Sequence, residues 1–264
     1  MENKRSFVTF SELAVGFDEY SLSQSEDFNG KTITLYLENG STFIYRFVSP
    51  DTLVFTENEL TPIAAMYNLV MPRAGIYYLN CVVSYGDTRC ITSVIDTEKK
   101  IATVSIGTLP SMEEALIPQI TRGDKNMPLT SVRADFIPAA VGSPFRHDTP
   151  RHEKTSDLVG RRINFIYSDS DEYEHIYLTD KSFVWRCVRG IESGLADTEL
   201  CYYYKIADNL YWFTWCERVV PTLGSVLEDL DAMRSFGSLF AYEDYSFRRV
   251  KNVCAGSYAR YYST

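Results

Sequence analysis

The stretch NLYWFTWCERVVPTLG, Asn209 to Gly224, carries a carboxylate at the end of a strongly aromatic strand. Strand alternation places Tyr211, Phe213, Trp215 and Glu217 on one side. If that side faces a core, Glu217 is paired, protonated or used in chemistry. Burial raises a carboxyl pKa and can poise the group as a general acid or base near neutral pH. The alternative is a place at a barrel mouth, paired with a neighbouring arginine. In DEYEHIYL, Asp171 to Leu178, Glu174, Ile176 and Leu178 form one face and Tyr173, His175 and Tyr177 the other. The apolar pair favours the first face as inward, which makes Glu174 a second interior carboxylate able to share acid and base roles. His175 is a further acid-base candidate, with a surface or hydrogen-bonded structural role as its alternative. In CYYYK, Tyr202 and Tyr204 share one face and Tyr203 takes the other; the first two are candidate substrate contacts. Asp197 and Thr198 read as turn caps. Arg186 and Arg218 alternate with aromatics and are expected to point outward.

The elements that must hold these groups are short strands with Asn-Gly, Asp and Pro turns, the pattern of antiparallel meanders. From about Ser111 to Ser156 the strand pattern gives way to GDKNMPLT and then to VGSPFRHDTPRHEKTSD, a stretch rich in Pro, Gly and charge that has linker chemistry, and the segments on either side resemble each other. FNGKTITLYLENGSTFIYRFVSPDTLVF faces LVGRRINFIYSDSDEYEHIYLTDKSFVWRC, and AGIYYLNCVVSYGDTRCITSVIDTEKK faces DNLYWFTWCERVVPTLGSVLEDLDAMR. In both, a strand with adjacent aromatics leads to Ser-Val and an acidic turn. A near-constant offset of this kind marks an internal duplication, with two similar meanders of unrelated origin as the alternative. Closing each meander into a barrel removes exposed edges and lines an interior with alternate residues. Helix is expected only in TFSELAVGF, capped by Thr9 or Ser11, and in SMEEALIPQI, capped by Ser111.

Composition narrows the partners. A net charge of -9 argues against nucleic acid and against an anionic membrane surface. No apolar run reaches bilayer-spanning length and MENKRSFVTF lacks a signal-peptide core, so a cytoplasmic location is expected. Asn39-Gly40-Ser41 fits a glycosylation sequon that such a location would leave unused. The six cysteines and three histidines show no metal-ligand spacing, and the thiols are expected reduced and buried. No metal or cofactor is therefore expected.

GTLPS and MPLTSVRADF in the first half, then YEHIYL, GLADTELC, VPTLG and FAYEDYSF in the second, resemble the MoaF family. The resemblance implies two tandem lipocalin-like (calycin) antiparallel β-barrels with few short helices. It places the first at residues 1–145, a linker at 146–156 and the second at 157–264. The second half is also similar, more distantly, to the phenolic acid decarboxylases, single barrels acting without a cofactor through interior tyrosines, an arginine and a glutamate. That similarity implies that Glu217 matches the glutamate and Tyr167 the second tyrosine. Phe165 stands at the first tyrosine, and GIESGLADTE offers no arginine. The inward set it implies is Phe165, Tyr167, Trp185, Cys187, Phe213, Trp215 and Glu217. The first half has Leu35 and Leu37 at the tyrosine positions and Val83 at the glutamate position.

The expectation from these readings is a cofactor-independent enzyme working on a small apolar or aromatic metabolite by acid-base chemistry in the second barrel. Lyase, isomerase or cyclisation steps, as in natural-product biosynthesis, suit one or two proton-transfer groups and a shaped cavity. A lipocalin-type carrier or sensor is the alternative, and a homodimer is compatible with either.

Overall fold

The computed structural model describes residues 7–262, and within them the chain is all-β with three short helices: α1 (Phe10–Leu13), α2 (Met112–Ala115) and α3 (Gln119–Asp124). Two begin where the sequence places them. The hydroxyls of Thr9 and Ser111 accept from the backbone N–H of Glu12 and Glu114, whose carboxylates accept from the cap N–H in return. These capping boxes satisfy donors that a first helical turn leaves open.

Residues 22–108 and 134–153 form one compact unit. Its barrel runs in chain order through β1 (Thr32–Leu37), β2 (Thr42–Phe47), β3 (Thr52–Glu57), β4 (Ile63–Arg73), β5 (Ile76–Tyr85), β6 (Asp87–Asp96), β7 (Ile101–Thr108) and β8 (Arg133–Val141). Strand β8 closes it against β1, with Leu35 opposite Val141. Phe43, Tyr45, Phe55 and Leu79 fill the interior and are fully buried. The Tyr45 hydroxyl is paired with Ser93 at 3.0 Å, so its polar tip is satisfied inside that core.

Residues 7–21, 109–133 and 154–262 form the other unit. The N-terminal segment and the α2–α3 stretch therefore pack with the second barrel rather than with the strands next to them in sequence. Its strands are β9 (Glu153–Lys154), β10 (Arg162–Ile166), β11 (Glu172–Tyr177), β12 (Ser182–Arg189), β13 (Ala196–Ala207), β14 (Leu210–Cys216), β15 (Thr222–Asp229), β16 (Arg234–Tyr242) and β17 (Val250–Tyr261). Strands β10 to β17 close an eight-stranded antiparallel barrel, with β17 against β10 and β9 at the end of the sheet order beside β13.

The duplication is visible in the backbone. Gly30 and Gly160, both at positive φ, each follow a buried apolar residue and open the first strand of their barrel. Gly30 N–H donates to Phe47 O, and Gly160 N–H donates to Tyr177 O. Phe47 and Tyr177 donate back to Lys31 O and Arg161 O. The same register recurs with different interiors. Tyr77 faces Ile95 across β5–β6, whereas Tyr211 faces Glu228 across β14–β15.

Candidate functional site

One end of the second barrel holds a cavity of about 40 Å³. The strands of the barrel position its wall. Tyr167 follows β10, Tyr173 and His175 lie on β11, Trp185 on β12, Trp215 next to the end of β14 with Glu217 just beyond it, Thr222 opens β15 and Leu239 lies on β16. The loop after β12 contributes Glu192. The N-terminal segment completes the wall with Leu13 of α1 and Phe17, a cover drawn from outside the strands. Phe17 stacks on Tyr167 with centroids 4.7 Å apart and meets Tyr173 edge-on at 5.8 Å. The cover is anchored by Phe10, fully buried, and by Gly256 N–H donating to Phe17 O at 2.9 Å.

Glu217 is held by its own strand. Trp215 Nε1–H donates to Glu217 Oε1 at 2.8 Å. The indole can lie there because Gly224 is its partner across β14–β15, and a Cβ on Gly224 would sit 2.2 Å from the ring. The sequence motif VPTLG is thus a packing requirement of the site. Arg218 turns the other way and pairs with Asp197 and Glu199. Asp197 also accepts from the Thr198 N–H, so the turn-cap reading and an ion pair hold together.

Burial dominates the electrostatics. It pushes the Glu217 carboxyl up to about 8, opposed by the Trp215 hydrogen bond and reinforced by Glu192 and Asp197. Burial also raises Glu192, opposed by the Tyr173 hydroxyl, which donates to it at 3.3 Å. The Tyr167 phenol is raised by burial and by Glu228 and Glu217. His175 is lowered to about 3 by burial, so its imidazole is neutral. At neutral pH the cavity therefore presents a protonated carboxyl, protonated phenols and a neutral imidazole, all able to donate a hydrogen bond.

Of the residues expected from the sequence, Glu217, Tyr167, His175, Trp185 and Trp215 meet at this cavity. Phe165, Phe213 and Cys187 form the buried layer around them, with Phe165 and Phe213 at 4.7 and 5.7 Å from the His175 ring. Three residues belong elsewhere. The inward face of β11 is Tyr173, His175 and Tyr177, opposite to the face that Ile176 and Leu178 suggest. Glu174 lies on the outer face between Arg162, at 2.6 Å, and Arg186, its partner across β11–β12, at 3.0 Å. Tyr203 is the inward tyrosine of CYYYK, beside Cys201; Tyr202 and Tyr204 face outward, Tyr204 against Trp212. Phe17, Glu192 and Glu228 escape the sequence reading. Phe17 acts far from its strands in sequence, Glu192 sits in a loop, and Glu228 reads as part of an acidic turn although it lies within β15.

Two family models match the chain, one to each half. The family model of the MoaF N-terminal domain matches residues 5–111, and that of the MoaF C-terminal domain matches residues 152–264. "Protein MoaF" of Klebsiella aerogenes is 29% identical over 262 residues, covering 98% of this chain and 97% of that protein. A crystal structure described as a putative beta-lactamase from Burkholderia vietnamiensis aligns at 14% identity and a TM-score of 0.36, over 42% of this chain and all of that one. The chain, with both MoaF domains in order and each closed into an eight-stranded barrel, belongs to the MoaF family.

Proposed function

We propose that the second barrel is a cofactor-independent acid-base site for a small, flat, apolar or aromatic molecule, with Glu217 as its principal proton-transfer group. The observation that carries this reading is a carboxyl held protonated at neutral pH on the wall of an aromatic cavity, beside Tyr167 and His175. The first barrel supports it by contrast: Val83 is buried at the matching strand position and Tyr45 takes the place of His175. The fold thus closes without these polar groups, and their presence in one barrel only is not a packing necessity. A group with a pKa near 8 exchanges its proton readily at working pH, which suits isomerase, lyase or cyclase steps that move one proton on and one off.

The cavity as covered, about 40 Å³, holds only about three or four waters at roughly 10–15 Å³ each. Ligand sites commonly run to about 300 Å³ or more. Binding therefore displaces Phe17 and Leu13, and the N-terminal segment serves as the cover that opens. The reading is tested by screening small aromatic acids, ketones and enones for quenching of tryptophan fluorescence, since Trp185 and Trp215 line the cavity, followed by mass spectrometry for conversion. Saturable quenching with a changed product supports the enzyme. Saturable quenching without any product identifies a carrier, and no quenching across the set removes the cavity as a site.

A further inference from the structure

Behind the cavity lies a second buried acid that the site described above does not use. Glu228 is fully buried on β15 and is not part of the cavity wall. Tyr177 Oη–H donates to its Oε1 at 2.6 Å, while Oε2 is buried without a partner. His175 stands between this carboxyl and the cavity. Its ring lines the cavity, yet its Nδ1 is buried, unpartnered and 3.9 Å from Glu228 Oε1. That separation is about 1 Å beyond a hydrogen bond, so a small side-chain adjustment joins the two.

An orphaned carboxylate oxygen in an apolar interior is costly, and protonation relieves it. The groups facing Glu228 do not neutralise it as an anion. They are Tyr177 and His175 from β11, Tyr167 after β10, Cys201 and Tyr203 from β13, and Tyr211, its cross-strand partner on β14; among the described residues Arg161 is the cation that acts on it. Burial accordingly outweighs the Tyr177 hydrogen bond and Arg161 and lifts the carboxyl to about 8. A Glu228 protonated on Oε1 can still accept from Tyr177 through that oxygen's lone pair and donate to the unpartnered Nδ1 3.9 Å away once the side chains adjust. The neutral imidazole then carries its proton on Nε2. In the first barrel Ile95 occupies the position of Glu228, so the fold does not require an acid there.

We propose that Glu228 acts through His175 as a buried proton reservoir, fixing the imidazole as the Nε2–H tautomer toward the cavity and replenishing the proton that His175 gives to an oxygen of the bound molecule. This deepens, and rests on, the acid-base reading of the cavity. In the transfer, a substrate oxygen lone pair takes the Nε2 proton while Nδ1 takes the Glu228 carboxyl proton. The broken N–H pair stays on the ring and the broken O–H pair stays on Glu228, whose new charge is met by the Tyr177 hydroxyl. The low basicity of His175 requires the two transfers to be concerted, since a free imidazolium is disfavoured in this interior. The reacting form has Glu217 ionised, a minor fraction at pH 7 that grows toward pH 8; it takes the proton leaving elsewhere on the molecule as Glu228 gives its own up, so one carboxylate charge is present before and after the step. The ligand class implied is an uncharged acceptor such as a carbonyl compound, with Glu228 a positioning residue rather than a contact.

The test is ¹⁵N NMR of the histidine side chains in the full-length protein without ligand, between pH 5 and 9.5, with the His175 signals assigned by His175→Gln. The proposal expects Nε2–H with unprotonated Nδ1 below about pH 8, then a switch to Nδ1–H as Glu228 ionises and begins to accept. Glu228→Gln, of the same shape, abolishes that switch. Tyr177→Phe, which removes a donor to the carboxylate, moves the switch to higher pH and gives an independent readout if the first variant folds poorly. An Nδ1–H tautomer at pH 6, or a switch that persists in Glu228→Gln, overturns the proposal. Because no ligand is involved, this result is separable from the fate of the Glu217 reading.

Discussion

Replacing Glu217 by glutamine should stabilise the protein, and only above acid pH. The folded state holds the Glu217 proton up to about 8, whereas the ordinary value is 4.5. Between those limits the folded state binds more protons than the unfolded one, so stability is complete below 4.5, falls as pH rises, and levels above about 8. At pH 7 folding must protonate a group that would otherwise be ionised, at a cost of about 3 kcal/mol by the relation of ~1.4 kcal/mol per pH unit. Glu217 is only partly buried, so water at the mouth screens some of this and about 1–3 kcal/mol remains. Glutamine keeps the acceptor for Trp215 Nε1–H and needs no proton. The variant should therefore match wild type at pH 4 and exceed it at pH 7 and above. A gain of about 2 kcal/mol corresponds to about 4–8 °C in the melting of the second unit. Calorimetry or circular dichroism melts at pH 4, 5.5, 7 and 8.5 measure it. A variant less stable than wild type at pH 7 would refute the reasoning, because that is the sign of a carboxylate stabilised by an ion pair.

Gly224→Ala places a methyl group where the Trp215 ring lies, and should cost about 1–3 kcal/mol by overpacking while changing the near-ultraviolet dichroism of the tryptophans; an unchanged spectrum contradicts the packing described. Phe17→Ala removes the stack on Tyr167 and should raise acrylamide quenching of Trp185 and Trp215 several-fold at a cost of about 3–5 kcal/mol, and unchanged quenching would show that the segment does not gate the cavity. Glu174→Gln weakens the outer-face contacts to Arg162 and Arg186, so a loss of about 1–2 kcal/mol in denaturant titration is expected, with ligand affinity unaltered; a large loss of affinity would restore Glu174 to the site.

The fold was legible because turn chemistry, alternation and the repeat all point the same way, down to Thr9 and Ser111 as caps. Glu217 was legible because a carboxylate in register with Tyr211, Phe213 and Trp215 breaks an otherwise apolar face. The face of β11 was not. Its interior side is built from Tyr173, His175 and Tyr177, amphipathic side chains, whereas Ile176 and Leu178 are left partly or largely exposed. The arginines that satisfy Glu174 come from two neighbouring strands, and only strand register reveals that pairing. Glu228 was masked because EDLD looks like a turn, yet the strand continues to Asp229 before the chain reverses. Phe17 was invisible for a different reason: its importance lies in a cover docked by tertiary contacts, and its local sequence announces only a short helix nearby.

The central claim is that Glu217 performs proton transfer in the covered cavity of the second barrel. The most direct measurement is the dissociation constant and the turnover rate, side by side, of wild type and Glu217→Gln with a compound that quenches Trp185 and Trp215 and is converted. The account predicts a dissociation constant within about threefold and turnover reduced by about 10²-fold or more. Turnover retained at full rate in Glu217→Gln would contradict it.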